Sequence, residues 1–275
     1  MADQQGQDYS FDFTGKTAII TGSTGGIGQD IARLFHRFGA NVVVSGRSLA
    51  AGETIAEELG ERAIFQHLDV TQDAQIDACI TRALDTFGQI NFHINNACFY
   101  PDPGLDATRD EWLNSVNVNL ISGAIFVGKV APHIKAAGGG AIVNLSSTSA
   151  KTGRAGTLLY PASKAAILNV TKNEAVTLAP DNIRVLAVIP AWTWSPSIEK
   201  ATGDIETADR IGATFHPRGR VGRGDEVARA VAFACSEAAA FMTGTEILVD
   251  GGYSVIGPDQ GKDPRIWLRE LADKA

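Results

Sequence analysis

Short hydrophobic runs rich in β-branched residues alternate with longer amphipathic stretches along most of this chain. The short runs predict buried strands, and apolar residues at helical spacing predict helices. Strands are predicted at residues 17–21, 41–45, 63–67, 92–95, 141–145, 183–189 and 246–249. Helices are predicted at residues 26–38, 49–59, 74–87, 111–136, 160–178 and 225–236, with Pro132 expected to bend or end the fourth.

This alternation predicts an α/β fold, because parallel strands need crossover connections and are covered by helices. We expect a single doubly wound Rossmann-type domain over residues 14–256, with a parallel sheet of about seven strands and helices on both faces. Residues 1–13 are expected to form a flexible N-terminal arm. Residues 192–224 lack a regular pattern and predict a loop that covers a binding site. Residues 257–275 would form a C-terminal extension.

Composition narrows the class of protein. The 275 residues are 44% hydrophobic and 20% charged, which is typical of a globular domain. A net charge of −7 argues against a nucleic-acid surface, which would gather lysine and arginine. Three cysteines without a CxxC pair predict neither a disulfide framework nor a zinc site, and favour the cytoplasm. We find no signal peptide and no apolar run that predicts a membrane span.

A glycine-rich turn lies between the first predicted strand and the first predicted helix, at residues 21–28. Glycines there permit a tight turn and let a pyrophosphate approach the backbone, while the N-terminus of the helix favours negative charge. The turn therefore predicts a nucleotide site. Its candidate cofactor-binding residues are Gly22, Ser23, Thr24, Gly26, Ile27 and Gly28.

The end of the second strand bears on the choice of cofactor. An acidic residue there would bind the ribose 2′-hydroxyl of NAD, but this chain has Arg47 beside Ser45 and Ser48. A guanidinium suits a 2′-phosphate, because it donates two parallel charge-assisted hydrogen bonds. The alternative is a solvated surface arginine. The sequence therefore favours NADP(H) over NAD(H).

Several ordered motifs resemble those of the short-chain dehydrogenase/reductases, over about residues 16–253. Residues 21–28 are similar to the TGxxxGxG turn of that family, and residues 95–97 to its NNAG segment. Tyr160 and Lys164 match its YxxxK motif, and Asp69 and Val70 look like its adenine-contacting pair. The chain departs from the family pattern at Cys98 and Ala191, where glycine is usual.

The resemblance implies a set of site residues. The catalytic group would be Asn119, Ser147, Tyr160 and Lys164, with Asn117 and Ser146 as alternatives for the first two. Ser147 is preferred because it lies 13 residues before Tyr160. Besides the glycine turn, the cofactor would contact Arg47, Asp69, Val70, Asn96, Ala97, Tyr160, Lys164, Pro190, Thr193 and Ser195. No metal site is expected.

Hydride transfer to a carbonyl leaves negative charge on oxygen, so a general acid with a suitable pKa is needed beside it. Tyr160 would be that acid, and Lys164, one helical turn away, would lower its pKa together with the oxidised nicotinamide. Ser147 would donate to the substrate oxygen. The resemblance further implies that Asn119 supports a water that links Lys164 to solvent, and that Lys164 binds the nicotinamide ribose.

The leading hypothesis is therefore an NAD(P)-dependent oxidoreductase that interconverts a secondary alcohol and a ketone. Sugar or polyol, 3-oxoacyl, and cyclic alcohol or steroid substrates all stay open. A cofactor-binding sensor without turnover is the alternative, and a dehydratase or epimerase is disfavoured because no larger substrate domain follows. The family is commonly tetrameric, so we expect a homotetramer with residues 257–275 at a subunit interface.

Five other side chains have expected roles. His93 is predicted to be a packed strand histidine, and His216 a solvated loop histidine. Trp192 and Trp194 could either stack on a bound ring or anchor the loop of residues 192–224 to the core. Cys98 is expected to act as a small packing residue.

Overall fold

The computed structural model describes residues 11–257, 259 and 261–272. These residues form a parallel sheet of seven strands in the order β3-β2-β1-β4-β5-β6-β7. The strands are β1 (Thr17–Ile20), β2 (Asn41–Gly46), β3 (Ala63–His67), β4 (Phe92–Asn95), β5 (Gly140–Leu145), β6 (Ile183–Pro190) and β7 (Glu246–Val249). The strand order reverses between β1 and β4, which is where α/β folds of this kind bind ligands.

Helices cover both faces of the sheet. They are α1 (Gly26–Arg37), α2 (Leu49–Leu59), α3 (Asp73–Phe87), α4 (Arg109–Val116), α5 (Ser122–Ala136), α6 (Leu159–Leu178), α7 (Pro196–Thr202), α8 (Ile205–Gly212), α9 (Gly224–Cys235) and α10 (Pro264–Ala272). One hydrophobic core lies between the sheet and α1, α2 and α9. A second lies between the sheet and α3, α5 and α6. The predicted Rossmann-type fold is confirmed.

The fourth predicted helix differs from the expectation of one continuous helix over residues 111–136. Its place is taken by α4, a π-helical turn at Asn117–Ile121, and α5. The hydroxyl of Ser122, just after this turn, donates a 2.7 Å hydrogen bond to the carbonyl of Asn117. Pro132 lies inside α5 and does not end it. A wider turn of this kind redirects the side chains that follow and is frequent at functional sites.

The segment of residues 192–224 contains two helices, which corrects the prediction of an irregular loop. Pro196 occupies the first turn of α7, where its missing N–H costs no hydrogen bond. Asp204 caps α8, because its carboxylate accepts a 2.7 Å hydrogen bond from the backbone N–H of Thr207. The two helices have only seven and eight residues, which is too short for a periodic pattern to predict them from the sequence.

The described residues stop short of both termini of the chain. Of the arm predicted over residues 1–13, residues 1–10 lie outside the described part. Phe13 is buried against Phe35 and Phe92, at ring-centroid distances of 4.9 and 5.0 Å, so ordered packing begins before residue 14. Residues 258, 260 and 273–275 of the predicted extension also lie outside the described residues. Across the described residues, we find no helix with the length and apolar character to cross a membrane.

Candidate active site

A cleft of about 790 Å³ opens at the carboxyl edge of the sheet. The loops after β1 to β6 all contribute to it, because parallel strands bring their carboxyl ends to one edge. Of the residues predicted from the sequence, it is lined by Gly22, Thr24, Gly26, Ile27, Gly28, Arg47, Asp69, Val70, Asn96, Ala97, Ser147, Tyr160, Pro190, Thr193 and Ser195.

The glycine turn forms one wall of this cleft, and a side chain at Gly22 or Gly28 would collide with neighbouring protein atoms. A Cβ atom on Gly22 would lie 2.8 Å from the Cα of Ala97, and Gly22 has a φ of 66°. A Cβ atom on Gly28 would lie 2.5 Å from the carbonyl oxygen of Gly22. No side chain caps the N-terminus of α1 among the described residues. The exposed backbone of the turn and the positive end of α1 therefore fit a pyrophosphate.

Ser23 is the member of the predicted turn set whose side chain does not line the cleft. It is fully buried, and its Oγ donates a 2.7 Å hydrogen bond to the carbonyl of Ile20. The same Oγ accepts a 2.9 Å hydrogen bond from the backbone N–H of Ser45. The hydroxyl of Ser23 therefore joins the turn to β2, and a cofactor contact of Ser23 stays a prediction.

The turn is also tied to the end of β4. The side-chain amide of Asn96 donates to the carbonyl oxygens of Thr21 and Gly22, at 2.8 and 3.1 Å. The hydroxyl of Thr21 accepts from the backbone N–H groups of Asn96 and Ala97, at 3.0 and 3.1 Å. These bonds fix the glycine turn against the segment that continues to Cys98.

Arg47 and Asp69 lie at the end of the cleft formed by β2 and β3. The carboxylate of Asp69 accepts hydrogen bonds from the N–H and the hydroxyl of Thr71, at 3.0 and 2.8 Å. Burial raises the pKa of Asp69, but these bonds and the nearby charge of Arg47 outweigh it and hold the pKa below its ordinary value. Arg47 itself is exposed and belongs to no ion pair among the described residues.

Tyr160 and Lys164 lie in the first turns of α6, and the Nζ of Lys164 is 5.6 Å from the centroid of the Tyr160 ring. Lys164 is buried, and its Nζ donates a 2.8 Å hydrogen bond to the carbonyl of Leu145. Burial and the neighbouring Cys98 raise the pKa of Tyr160, against smaller lowering effects of Ser147 and Arg154. Lowering of the Tyr160 pKa was predicted for the complex with the oxidised nicotinamide. In the protein without cofactor the pKa is raised instead, because burial of the phenolate costs more than the neighbouring groups recover.

The two serines after β5 have different surroundings. Ser146 is buried, and its hydroxyl donates a 2.8 Å hydrogen bond to the carbonyl of Lys164. Ser147 lines the cleft, and its Oγ accepts hydrogen bonds from the N–H and hydroxyl of Ser149, at 3.2 and 2.9 Å. The placement favours Ser147 over Ser146 as the residue that faces a substrate.

A family model described as Enoyl-(Acyl carrier protein) reductase matches residues 22–254 of this chain. The chain is 36% identical to cis-4-hydroxycyclohexanecarboxylate dehydrogenase of Sinomonas cyclohexanicum, over 89% of this chain and 98% of that protein. It is 33% identical to cyclohexanol dehydrogenase of an Acinetobacter species, over 88% and 96% respectively. It is 32% identical to sorbitol dehydrogenase of Cereibacter sphaeroides, over 86% and 97%.

The chain belongs to the short-chain dehydrogenase/reductase family. As a member of this family it is an oxidoreductase that uses a nicotinamide cofactor, and the resemblance inferred from its motifs is confirmed.

In this short-chain dehydrogenase/reductase, Asn119 faces away from the large cleft. It lies in the π turn, its Oδ1 accepts from the backbone N–H of Phe99 at 2.7 Å, and its Nδ2 donates to the carbonyl of Phe99 at 2.8 Å. Asn119 and Lys164 line a second cavity of about 30 Å³. This volume has room for about two waters, since one needs about 10–15 Å³. A water between Asn119 and Lys164 stays a prediction.

The loop after β6 forms the opposite wall of the cleft. Thr193 is buried, and its hydroxyl donates a 3.1 Å hydrogen bond to the carbonyl of Ala191. Trp192 lines the cleft and also packs on Phe215, with ring centroids 5.0 Å apart, so it joins the two ends of the segment of residues 192–224. Trp194 is bound through its backbone N–H to the carbonyl of Gly222, at 2.9 Å.

The two histidines weighed from the sequence are both buried. His93 stacks on Phe126 at 4.1 Å, which confirms a packed strand histidine, and burial lowers its pKa to about 4. His216 is only 3% exposed and contacts the rings of Phe215 and Tyr253, so the prediction of a solvated loop histidine is wrong. His216 lies just after α8, and its backbone N–H donates a 2.8 Å hydrogen bond to the carbonyl of Gly212, the last residue of that helix.

Sequence reasoning missed two carboxylates near the site, Asp102 in the loop after β4 and Glu174 on α6. Asp102 had a usable signal, since the residue before α6 is Leu158, which has no side-chain acceptor for a helix N-terminus. A cap from elsewhere in the chain was therefore to be expected. Glu174 had no such signal, because an isolated glutamate on a helix is ordinarily exposed.

Proposed function

We propose that this chain interconverts a secondary alcohol and a ketone by hydride transfer with NADP(H), and that Tyr160 is the general acid/base. The observation that carries this proposal is that Tyr160 and Ser147 line the same cleft as the glycine turn, with Lys164 directly behind the tyrosine ring. Three of the four expected catalytic side chains thus meet beside a nucleotide cradle.

Each residue would have a distinct role. When bound, the nicotinamide would donate or accept the hydride. Ser147 would donate a hydrogen bond to the substrate oxygen, and Tyr160 would give that oxygen a proton or take one from it. Burial keeps Tyr160 protonated by raising its pKa, which suits the reduction of a ketone. Oxidation of an alcohol would need a pKa about three units below the ordinary value of about 10, which corresponds to about 4 kcal/mol in addition to the cost of burial. The Lys164 ammonium would contribute part of this.

NADP(H) is favoured over NAD(H) by Arg47. Its guanidinium lies on the cleft where the ribose of the adenosine half would sit, and no carboxylate follows β2 to bind a 2′-hydroxyl. Asp69 lies nearby, but Thr71 already binds its carboxylate. The chain's own residues therefore suit a 2′-phosphate better than a free ribose hydroxyl.

We further propose a cyclic secondary alcohol as substrate, with an acidic group on the ring. The relatives named above include dehydrogenases of cyclohexanol and of a hydroxycyclohexanecarboxylate. The cleft carries Arg154 near Tyr160, and the charge of Arg154 acts to lower the pKa of the Tyr160 phenol. Among the described residues, Arg154 forms no ion pair that would occupy its guanidinium.

The family resemblance favours a homotetramer, and we propose that it is cytoplasmic. On α10, the side chains of Leu268 and Leu271 are 67% and 63% exposed, which is consistent with a helix that packs on another subunit. Native mass measured before and after truncation behind Tyr253 would test this. An unchanged number of subunits would place the interface elsewhere.

The proposed function is tested by a panel of cyclic, linear and polyol alcohols and ketones, supplied with NADP(H) or NAD(H). Absorbance of the reduced nicotinamide reports turnover, and fluorescence titration reports binding. We expect turnover with a cyclic alcohol and a preference for NADP(H). Binding of cofactor with no turnover on any substrate would favour the sensor alternative, and a clear preference for NAD(H) would contradict the role of Arg47.

A further inference from the structure

The helix that carries Tyr160 and Lys164 begins without a cap of its own. The first N–H groups of any α-helix have no partner within the helix, and a side-chain acceptor ordinarily supplies one. The residue before α6 is Leu158, which offers none. The N-terminus of α6 therefore depends on acceptors from another part of the chain.

Asp102, from the loop after β4, supplies these acceptors. Both of its carboxylate oxygens accept from the backbone N–H of Leu158 at 2.9 Å, and Oδ2 also accepts from the N–H of Tyr160 at 3.0 Å. The carboxylate is half-buried, and a negative charge at this position is favoured by the positive end of the helix. Asp102 thus binds the backbone of Tyr160 itself.

The same carboxylate also fixes its own loop. Oδ1 accepts a 3.0 Å hydrogen bond from the backbone N–H of Gly104, which closes a turn around residue 103. Burial raises the pKa of Asp102, but the N–H groups of Leu158, Tyr160 and Gly104 outweigh it and lower the pKa. The carboxylate is therefore held in its ionised form, in which both oxygens accept.

The other end of this loop is bound to the π turn. Asn119 holds both the N–H and the carbonyl of Phe99, at 2.7 and 2.8 Å. Between the two anchors, the ring of Tyr100 lies on the ring of Tyr160, with centroids 5.2 Å apart and planes inclined by 34°. Residues 98–104 thus connect Asn119 to the first turn of α6, where Tyr160 lies.

We propose that Asp102 is a positioning residue for the reaction, which acts through Tyr160. It holds the first turn of α6 in register with Ser147 and with the wall formed by Cys98, Phe99 and Tyr100. The hydroxyl of Tyr160 must lie within hydrogen-bond reach of the substrate oxygen, and a displacement of about 1 Å at a reacting group can cost about a hundredfold in rate. This inference rests on the proposed role of Tyr160 but not on the identity of the substrate.

The test compares Asp102→Ala and Asp102→Asn with a matched control, Thr108→Ala. Thr108 caps the neighbouring helix α4, where its hydroxyl accepts from the N–H of Glu111 at 3.3 Å, and it is outside the cleft. Each variant is assayed for kcat, for KM of the alcohol, for the dissociation constant of NADP(H), and for melting temperature.

We expect Asp102→Ala to lower kcat about ten- to a hundredfold, with the dissociation constant of NADP(H) changed less than about twofold. Asp102→Asn keeps one oxygen acceptor and should recover part of kcat. Thr108→Ala should lower the melting temperature and leave kcat unchanged. A kcat of Asp102→Ala no lower than that of Thr108→Ala would overturn the proposal and leave Asp102 as a structural cap.

Misfolding of Asp102→Ala and failure of the proposed role of Tyr160 can each be distinguished from failure of the Asp102 proposal. If Asp102→Ala does not fold, kcat of the folded Asp102→Asn variant decides, and a wild-type value overturns the proposal. If Tyr160→Phe retains activity, the proposed function fails. A kcat loss in Asp102→Ala beside an active Tyr160→Phe would show that Asp102 does not act through this tyrosine.

Discussion

The side-chain amide of Asn144, at the end of β5, donates a 2.9 Å hydrogen bond to the carboxylate of Glu174 on α6. The Oδ1 of Asn144 in turn accepts a 2.7 Å hydrogen bond from Asn95, whose own Oδ1 lies 2.7 Å from the Nε2 of His93. Burial raises the pKa of Glu174 to about 7, although the bond from Asn144 opposes this shift. A half-buried acid therefore ends a polar chain that runs from β4 and β5 to α6, and it lines the same small cavity as Lys164.

Glu174→Gln should change how stability depends on pH. The folded pKa of Glu174, about 7, lies above its ordinary value of 4.5, so the folded state favours the protonated form. Its contribution is fully present below pH 4.5 and is lost as the pH rises through 7, up to about 3 kcal/mol. The glutamine keeps an oxygen acceptor for Asn144 and removes the titration.

Denaturant unfolding at pH 5 and pH 8 checks this. We expect Glu174→Gln to be more stable than the wild type at pH 8, by about 1–3 kcal/mol, and nearly equal to it at pH 5. Glu53→Gln, at an exposed position on α2, serves as the control and should leave the pH dependence unchanged. If the unfolding free energy of Glu174→Gln depends on pH as that of the wild type does, Glu174 ionises in the folded protein with little loss of stability.

Tyr160→Phe should remove turnover and spare cofactor binding. The substitution deletes the proton that is transferred and keeps the ring that contacts Tyr100 and Lys164. General acid–base catalysis contributes roughly a hundred- to ten-thousandfold, so kcat should fall by about that factor. Steady-state kinetics and fluorescence titration with NADP(H) measure the two effects.

Tyr253→Phe is the matched control, since Tyr253 lines the same cleft but packs on the ring of Phe215. We expect this variant to keep most of the wild-type kcat. Retention of most activity in Tyr160→Phe would refute its role as the acid/base, and the search would move to the other cleft hydroxyls.

Much of the site was predictable because its residues share one topological rule. The glycine turn, Asp69, Asn96, Ser147 and Pro190 each lie at or just after the end of a strand, and parallel strands bring such positions to one edge. Leu158 indicated that α6 needs a cap from elsewhere in the chain, but the sequence did not show which residue supplies it. The contacts of Asp102 and Glu174 join residues 56 to 58 and 30 apart and depend on how the loops fold. Ser23 fits the motif by position, yet the twist of the turn directs its hydroxyl to β2.

Gly28→Ala should weaken both the fold and the binding of NADP(H). A Cβ atom there would lie 2.5 Å from the carbonyl oxygen of Gly22 and 2.5 Å from the side-chain nitrogen of Asn96. Since backbone atoms cannot give way cheaply, we expect a loss of about 1–3 kcal/mol in unfolding free energy. The displaced turn should also raise the dissociation constant of NADP(H), measured by fluorescence titration.

Gly128→Ala is the matched control, because Gly128 is a helical glycine on α5 where an added Cβ atom would meet no other described part of the chain within 4 Å. Alanine is the better helix former, so this variant should gain up to about 1 kcal/mol of stability. If Gly28→Ala lowers the unfolding free energy and Gly128→Ala raises it, the loss is attributed to the crowded turn. Equal affinity of Gly28→Ala and wild type for NADP(H) would contradict the close packing of this cradle.

Arg154→Gln should lower activity on acidic ring alcohols and spare neutral ones. A guanidinium at the cleft wall could bind a ring carboxylate while the ring hydroxyl meets Tyr160, as the proposed substrate class requires. A charge-assisted hydrogen bond of this kind contributes about 1.5–3 kcal/mol, so kcat/KM for 4-hydroxycyclohexanecarboxylate should fall at least about tenfold. Its methyl ester should react with wild-type and variant enzyme at similar rates.

The paired substrates separate charge recognition from general damage to the cleft. Arg82→Gln, which removes an exposed arginine on α3, controls for the change in net charge and should affect neither substrate. The loss with the acid should also shrink as ionic strength rises, because a partly exposed ion pair is screened by salt. An equal fall for acid and ester would indicate that Arg154 acts through the pKa of Tyr160 or through the loop, and not on the acidic group. No fall for either substrate would place the acidic group elsewhere in the cleft.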